Sequence, residues 1–428
     1  MFNTAVKLRL ALIAICLGFT SCNQSGSETL FVTLDPGETG ITFENELLFQ
    51  EDFNIYTYRN FYDGGGVAVG DLSGDGLPDI YLVNNMGQNS LYFNRGNFQF
   101  EDVTDQAGVA GKGDWSTGVS LVDINGDGHL DIYVSNSGMS ENRSNELFVN
   151  NGDGTFTESA EEYGIDDSGY SIQATFFDYN GDDLLDLYLL NNANEPITNF
   201  DISEELREVR DSLGGDRLYK NTGSGFVDVS EKIGIYSPIT AFGLSATVSD
   251  VDRNGFTDLF VANDFFERDY LYKNDGDGNF TEILDDSVIR SMSAASMGAD
   301  IADLNNDGWP DIYVLDMLPD DDSRTKSVTT FEGYERYQNK TEWGYGHQMT
   351  RNVLNLNQGD FTFREISRLA NVHATDWSWA ALIADYDQNG HNDIYVTNGL
   401  VHDITDLDYL EDIRSPHRMR SVMSENQD

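Results

Sequence analysis

Short hydrophobic runs rich in β-branched and aromatic residues recur along the chain, and each directly follows a polar loop. A shorter apolar run, such as residues 66–69 or 117–121, precedes the same loop. Residues of these types favour β-strands, and a tight polar loop between two strands favours a hairpin. The runs after the loops occupy residues 80–83, 132–134, 187–189, 259–261, 312–314 and 394–396. The pattern therefore predicts a repeated antiparallel hairpin.

Two further strands are predicted after most of the hairpins. An apolar run bounded by Asn or Asp forms the third strand, and a Gly-rich turn often leads from it into a short fourth strand that carries Phe. The third-strand segments are residues 89–94, 145–150, 216–221, 269–274 and 352–357. Four-stranded repeats of roughly 40 to 50 residues are typical of propeller blades. The sequence thus predicts an all-β propeller of four-stranded antiparallel blades, which begin near residues 66, 117, 172, 243, 297 and 379.

The six loops share a nine-residue pattern with oxygen-bearing side chains at the first, third, fifth and ninth positions. Ca²⁺ takes roughly six to eight oxygen ligands, and the Gly usually found at the sixth position permits a sharp bend. The candidate ligands are Asp71, Ser73, Asp75, Asp79, Asp123, Asn125, Asp127, Asp131, Asp178, Asn180, Asp182, Asp186, Asp250, Asp252, Asn254, Asp258, Asp303, Asn305, Asp307, Asp311, Asp385, Asp387, Asn389 and Asp393. We therefore predict a structural Ca²⁺ in each hairpin loop, up to six in all.

The loops differ from EF-hands. The twelfth position, where an EF-hand needs a bidentate Glu, is Leu or Val in every loop, and a strand rather than a helix follows. An alternative interpretation is a set of Asx-type turns that need no metal. The metal is favoured because carboxylates converging on one point would otherwise repel and raise one another's pKa. In the third loop Asp183 stands where the others have Gly, which leaves the geometry and affinity of that loop open.

The charge of the chain restricts its partners. Asp and Glu number 74 against 25 Lys and Arg, for a formal net charge of −49. Such a surface disfavours nucleic acids and anionic membranes as partners. Self-repulsion would also destabilise a metal-free fold, so we expect its stability to depend on calcium.

The N-terminus resembles an export signal. Lys7 and Arg9 precede an apolar stretch at residues 10–19, which is too short to span a membrane. Residues 19–22 resemble a bacterial lipobox, with Phe19 in place of the usual Leu. We predict a signal peptide at residues 1–21, a lipid anchor on Cys22, a tether at residues 22–38, and an outer-membrane or cell-surface location. An ordinary secretory peptide is the alternative.

Several segments resemble a known family. Phe242 and Gly243 before the fourth loop, and the Asn-x-Leu-Tyr-x-Asn blocks, are similar to FG-GAP/VCBS repeats, as in the integrin α N-terminal propeller. Residues 58–66, 263–271, 316–319 and 375–380 resemble Bacteroidetes surface lipoproteins of the ASPIC/UnbV-associated, cartilage acidic protein-like family. The resemblance implies a seven-bladed propeller at residues 39–410, calcium in the hairpin loops, an extracellular site and a binding role.

Three expectations concern the ends of the chain and the long intervals between loops. Residues 39–45 resemble an outer strand that would close the ring, the sixth blade lacks its last two strands, and the tail at residues 411–428 reads as disordered and truncated. Residues 202–213 have helical spacing, and residues 324–348 are polar and aromatic with no strand pattern. These insertions form either a binding face or packing decoration.

The leading functional hypothesis is a non-catalytic binding or adhesion scaffold for an extracellular protein or glycan. The alternative is an extracellular propeller enzyme acting on polysaccharide or another polymer, since fold alone does not decide function. No nucleophile motif or spaced His cluster is visible in the sequence, so no catalytic residue is assigned.

Overall fold

The computed structural model describes residues 29–193, 203–284, 289, 291–329, 332–359, 361–399, 403, 405–408 and 410. The predicted signal peptide at residues 1–21, Cys22, the first part of the predicted tether and the tail at residues 411–428 lie outside the described residues. None of the helices within the described ranges has the length and apolar character that a bilayer-crossing segment needs.

The described strands form six sheets, which we number as units 1 to 6 in chain order. The strands of units 1 to 3 are β1 (Val67–Gly70), β2 (Asp79–Leu82), β3 (Ser90–Asn94), β4 (Phe100–Asp102), β5 (Ser116–Val122), β6 (Asp131–Asn136), β7 (Glu146–Asn150), β8 (Phe156–Glu158), β9 (Ser171–Phe177), β10 (Asp186–Asn191), β11 (Arg217–Asn221) and β12 (Phe226–Asp228). Those of units 4 to 6 are β13 (Gly243–Ser249), β14 (Asp258–Asn263), β15 (Tyr270–Asn274), β16 (Phe280–Glu282), β17 (Ala299–Ala302), β18 (Asp311–Val314), β19 (Val353–Asn357), β20 (Phe363–Glu365), β21 (Ser378–Ala384) and β22 (Asp393–Asn398).

Units 1 to 5 are four-stranded antiparallel sheets with the strands in chain order, and unit 6 has two described strands. The first strands lie side by side in the order β1, β5, β9, β13, β17 and β21. The prediction of an all-β propeller-type fold built from four-stranded antiparallel units is confirmed.

The hydrophobic core lies between neighbouring units. Each of five buried clusters combines side chains from two successive sheets; one contains Tyr81 of β2 with Ile132 of β6, and another contains Tyr188 of β10 with Val261 of β14. The strands β6, β10 and β14 are therefore buried along their whole length. Their unbroken apolar runs follow from having a neighbour on both faces.

The two outermost units have exposed faces. The side chains of Val67 and Val69 on β1 are both 61% exposed, and β22 is only partly buried where β6, β10 and β14 are fully buried. Phe31 lies on this side of unit 6, with its ring 5.3 Å from the ring of Tyr395. Among the described residues, no strand packs on these two faces in the way that the inner units pack on each other.

Short helices connect many of the strands. Helices at Thr104–Ala107, Ala160–Tyr163 and Ser367–Ala370 follow the fourth strands of units 1, 2 and 5. Each ends at a residue in the left-handed conformation, respectively Gly108, Gly164 and Asn371, which is a common C-terminal cap.

The insertions differ from the sequence expectation. The described part of residues 202–213 has only a short 3₁₀ helix at Glu204–Glu208, because the chain turns to place Arg207 on a partner in unit 4. Residues 324–348 contain part of a helix at Asp322–Val328 and all of one at Tyr334–Glu342, neither of which was predicted.

The predicted outer strand at residues 39–45 is absent, and this expectation was wrong. A helix occupies Pro36–Thr39, and the residues after it have no strand assignment. Side-chain hydrogen bonds replace a strand ladder here: the Asn45 Nδ2 donates to Asn85 Oδ1 at 2.7 Å. The segment is thereby attached to unit 1.

Candidate metal centres in the hairpin loops

The first Asp of every loop accepts hydrogen bonds from the backbone of its own turn. In loop 1, Asp71 Oδ1 accepts from the N–H of Gly74 at 2.8 Å, and Asp71 Oδ2 accepts from Gly76 at 2.9 Å. The sixth-position N–H makes the same bond in the other loops, to Asp123, Asp178, Asp250, Asp303 and Asp385. These bonds shape the turn from the chain's own atoms and leave the remaining carboxylate lone pairs for a ligand.

Two positions of each loop have left-handed backbone. The sixth position has φ between 87° and 94° where it is Gly, and φ is 65° at Asp183 in loop 3. Asp tolerates this region better than most non-Gly residues. Loop 3 therefore keeps the same backbone course, which settles its geometry. The fourth position is also left-handed, including at Arg253, Asn306 and Gln388.

The ninth Asp ties its loop to the third strand of the same unit. Asp79 Oδ2 accepts from the N–H of Leu72 at 2.9 Å, while Oδ1 accepts from Asn94 at 2.8 Å. The equivalent pairs of bonds form at Asp131, Asp186, Asp258 and Asp311. At Asp393 of unit 6, Oδ2 accepts from Tyr386. This residue is therefore a structural connector as well as a candidate ligand.

The same buried position disfavours a bare negative charge. Burial raises the pKa of Asp258 to about 7 and that of Asp186 to about 6, with other loop aspartates adding to the rise and backbone N–H groups opposing it. Burial also raises the pKa of Asp131 and of Asp311. A bound cation would offset this cost.

The carboxylates converge in three loops. Oxygen atoms from three aspartates lie within 4.8 Å of one another at Asp178, Asp182 and Asp186; at Asp250, Asp252 and Asp258; and at Asp385, Asp387 and Asp393. Loops 1, 2 and 5 are fully described and do not bring three carboxylates this close.

The donor chemistry fits Ca²⁺ in the converging loops, since all the candidate atoms are hard oxygens. In loop 1, the buried Ser73 Oγ has no hydrogen-bond partner among the described residues, which leaves it available to a ligand. In loops 2 and 5, the third-position amide instead bonds within the turn: the Asn125 Nδ2 donates to Asp127 Oδ2 at 2.9 Å, and Asn305 repeats this contact with Asp307.

Two lysines lie beside converging loops. The Nζ of Lys220 is 3.1 Å from Asp182 Oδ2, and the Nζ of Lys273 is 3.5 Å from Asp252 Oδ2. Both lysines are on third strands, and both ion pairs are partly exposed. Each lysine therefore places one positive charge beside a carboxylate that a bound divalent cation would also contact.

Sequence reasoning missed the residues that join loops of neighbouring units. The Asn that ends the third strand donates its Nδ2 to the preceding unit: Asn150 to Leu72 O at 2.9 Å, and Asn274 to Tyr179 O at 2.7 Å. Asn357 makes the equivalent bond to Val251 O. The recurrence of this Asn was visible in the sequence, but its partner lies in another repeat.

Comparisons with known proteins identify the repeats. A family model described as an FG-GAP-like repeat matches residues 71–134, 137–189 and 250–314. Cartilage acidic protein 1 of Homo sapiens is 28% identical over 208 residues, covering 42% of this chain and 31% of that protein. The Xenopus tropicalis protein is 29% identical over 210 residues, covering 48% of this chain and 29% of its own length. The chain carries FG-GAP-like repeats and is homologous to cartilage acidic protein 1, matching about a third of its length.

Among solved structures, similarity extends to an Agrocybe aegerita lectin that recognises non-reducing terminal N-acetylglucosamine. It has a TM-score of 0.43 and 17% identity, covering 77% of this chain and 73% of the lectin. The Vibrio cholerae biofilm matrix protein Bap1 has a TM-score of 0.39 and 13% identity, covering 75% and 41%.

Proposed function

We propose that this protein is a calcium-stabilised, non-catalytic binding scaffold for an extracellular protein or glycan. In this proposal, it belongs with the Bacteroidetes-type surface lipoproteins and is held at the outer membrane by a lipid on Cys22. The repeats and the homology to cartilage acidic protein 1 support the scaffold. The polar start, apolar stretch and lipobox-like residues 19–22 support export.

The observation that carries the proposal is the convergence of three carboxylates in each of three hairpin loops. Like charges at this separation disfavour one another's ionised form, and a hard divalent cation removes that cost. Bound cations would also stabilise the fold as a whole. The net charge is −49, and each bound ion reduces the repulsion between acidic side chains.

Thermal unfolding of the full chain in calcium, in magnesium and in excess chelator tests the proposal. We expect the midpoint to rise in calcium and to rise less in magnesium, which demands stricter octahedral geometry. A site filled at a hundredfold excess over its dissociation constant adds about 2.7 kcal/mol to the free energy of unfolding. The same midpoint in calcium and in chelator would leave six acidic turns and overturn the proposal.

Two variants localise the effect. Asp252→Asn removes one converging carboxylate of loop 4 and should reduce the calcium-induced rise. Asp153→Asn is the matched control, because Asp153 caps an exposed turn through Thr155 outside the nine-residue loops. An equal response of both variants would argue against binding in loop 4.

Attachment through Cys22 has its own test. We expect the wild-type chain to sediment with the membrane fraction when expressed in a bacterium that processes lipoproteins. Cys22→Ala removes the only acceptor for the lipid at this position and should release the chain or retain it unprocessed. A Cys16→Ala variant is the control, since that Cys lies inside the apolar stretch. Unchanged membrane attachment of the Cys22 variant would contradict the anchor.

A further inference from the structure

At the end of the units opposite the hairpin loops, one position recurs in every unit from 1 to 5, but its residue type changes from unit to unit. We call it the mouth position. It is the residue that directly follows the Asn or Asp at the end of the second-strand run. Its occupants in units 1 to 5 are Asn85, Ser137, Asn192, Asp264 and Met317. The polar residues before them are equivalent, because the N–H of each bonds to the Asn or Asp that opens the third-strand segment.

Where the mouth position is Asn, its amide connects two units. Asn85 Nδ2 donates to Ser116 O at 2.9 Å, and Asn192 Nδ2 donates to Gly243 O at 3.3 Å. Ser116 and Gly243 begin the first strands of the next units. A carboxylate at this position has no proton to donate, so Asp264 cannot make this connection in its ionised form.

Asp264 is nevertheless buried, with 6% of its surface exposed. Its Oδ1 accepts from the N–H of Phe265 at 2.6 Å, and no other hydrogen bond to its carboxylate forms among the described residues. Phe265 itself has φ of 63°, a strained conformation for a bulky side chain. Strain of this kind at about 1–2 kcal/mol persists where the surrounding structure requires it. A buried acceptor with only one hydrogen bond and a strained aromatic residue thus occur together.

Arg59 reaches this point from the other side of the units. Its backbone belongs to unit 1, in the 3₁₀ helix Arg59–Tyr62 that precedes β1. Its guanidinium carbon, however, lies 4.7 Å from the ring centre of Phe265 and 5.5 Å from that of Phe242, both in unit 4. The described first strands contact one another in chain order, so units 1 and 4 are not neighbours in the array. The contact of Arg59 with unit 4 therefore spans the end of the array of first strands.

The guanidinium of Arg59 is held in place but donates no hydrogen bond among the described residues. The backbone that carries it is fixed by neighbouring aromatic contacts, with Phe61 and Tyr58 packed on Trp115 of unit 2. Burial lowers the pKa of Arg59, and the charges of Asp264 and Asp63 oppose this change. Five N–H donors therefore remain without a hydrogen bond among the described residues, in a site where the Asp264 carboxylate is close enough to influence the pKa of Arg59 and has spare acceptor capacity.

We propose that Arg59, Asp264 and the ring of Phe265, which packs on the buried Phe242, bind the terminal residue of a neutral glycan at the mouth of the units. A sugar hydroxyl accepts from a guanidinium and donates to a carboxylate at once, and its C–H faces contact aromatic rings. Burial already raises the pKa of Asp63 and of Asp264 to about 7, so the site disfavours a further negative charge, and an acidic sugar with it. This inference rests on the proposed scaffold function and names its ligand class.

The test is a screen of the full chain, in calcium, against neutral oligosaccharides, uronic-acid oligosaccharides and free amino acids, followed by calorimetric titration of any binder. Neutral oligosaccharides should bind. Asp264→Asn should weaken binding about tenfold, the loss expected for one charge-assisted hydrogen bond. It should fold normally, because unit 3 already has Asn192 at this position. Arg59→Lys should weaken binding as well, since Lys lacks the planar fork.

Arg143→Lys is the matched control. Arg143 also lies over an aromatic ring, that of Tyr170 at 4.8 Å, but two of its donors already bond to Ser140 O and Ser168 O. Its binding should equal that of the wild type. Three outcomes would overturn the inference: preference for amino acids, which would indicate a zwitterion site; preference for uronic acids; or binding of no oligosaccharide. If the calcium-dependent midpoint persists in these cases, the scaffold proposal stands and only the glycan site falls.

Discussion

Buried carboxylates replace amides at equivalent positions of different units. The residue that opens the third-strand segment is Asn145 in unit 2 and Asp269 in unit 4, and in both its Oδ1 accepts the same backbone N–H. The Asn145 Nδ2 donates to Ser171 Oγ at 3.0 Å, whereas at Asp269 the direction reverses and Ser296 donates to the carboxylate. The site thus accepts either residue, but only the Asp has a charge to bury.

Asp269→Asn should therefore stabilise the protein at alkaline pH. Burial raises the pKa of Asp269 to about 7, from an ordinary value of 3.8, against the opposing bonds from Asn263 and Ser296. A raised pKa means that the folded state binds the proton more tightly, so stability is lost as pH rises from about 4 towards 7. We expect the variant's gain in unfolding free energy to be larger at about pH 8 than at about pH 5 by about 2 kcal/mol.

Urea unfolding at the two pH values measures this difference. Asp153→Asn is the control, because hydrogen bonds from Thr155 lower the pKa of this exposed Asp. A gain for Asp269→Asn that is the same at both pH values would show that its charge is not the cause.

The left-handed residue of loop 3 allows a second residue-level prediction. Asp183→Gly should leave stability unchanged or raise it slightly, because relief of the left-handed strain is partly offset by the flexibility of Gly in the unfolded chain. Asp183→Val should cost about 1–2 kcal/mol, since a β-branched side chain is poorly suited to φ of 65°. Chemical denaturation in chelator separates the two variants. Equal stabilities would mean that the loop relaxes to another conformation.

At the scale of elements, the hairpin loops are connected to each other through the third strands. Asn274 ends β15 and contacts its own unit at Thr257 O and the preceding unit at Tyr179 O. Unit 6 adds a similar link, in which the Asn392 Nδ2 donates to Asp303 O in the loop of unit 5. A substitution that disturbs one loop should therefore also disturb the loop of the neighbouring unit.

Asn274→Asp should disrupt two units at once. The substitution removes both Nδ2 donors and places a carboxylate against two carbonyl oxygens, at a cost of about 3 kcal/mol. Hydrogen exchange should increase in the loops of units 3 and 4 but not in that of unit 1. Asn279→Asp, in an exposed turn, is the control. Faster exchange confined to unit 4 would contradict the link between units.

The elements themselves could be derived from the sequence to different degrees. Runs such as residues 80–83 identify strands because local composition and burial agree. The conformation around Arg207 could not be derived, because its partners are Glu267 and the carbonyl oxygen of Gly344, far away along the chain. The contact of Arg59 with the rings of Phe242 and Phe265 could likewise not be derived from the sequence. Repetition predicts what every unit does alike and cannot predict contacts between parts that differ.

At the scale of the whole molecule, repulsion between the many acidic side chains opposes folding. With a net charge of −49, the chelated protein should become more stable as ionic strength rises, because salt screens repulsion between acids. The dependence should be smaller in calcium, which neutralises part of the charge locally. Thermal midpoints measured across a sodium chloride series in chelator and in calcium check this. A midpoint that does not respond to salt in chelator would show that the acids are too far apart to matter.

The placement of the core between units sets the smallest piece that can persist alone. A single sheet excised by proteolysis would take with it only half of each apolar cluster, such as Tyr188 without Val261. Two consecutive sheets would retain one complete cluster and expose the halves of two others. Partial digestion should accordingly leave fragments of several sheets or nothing. Extra sequence is tolerated where the long intervals already lie, between the second and third strands of units 3 and 5, because those connections leave the clusters between sheets intact.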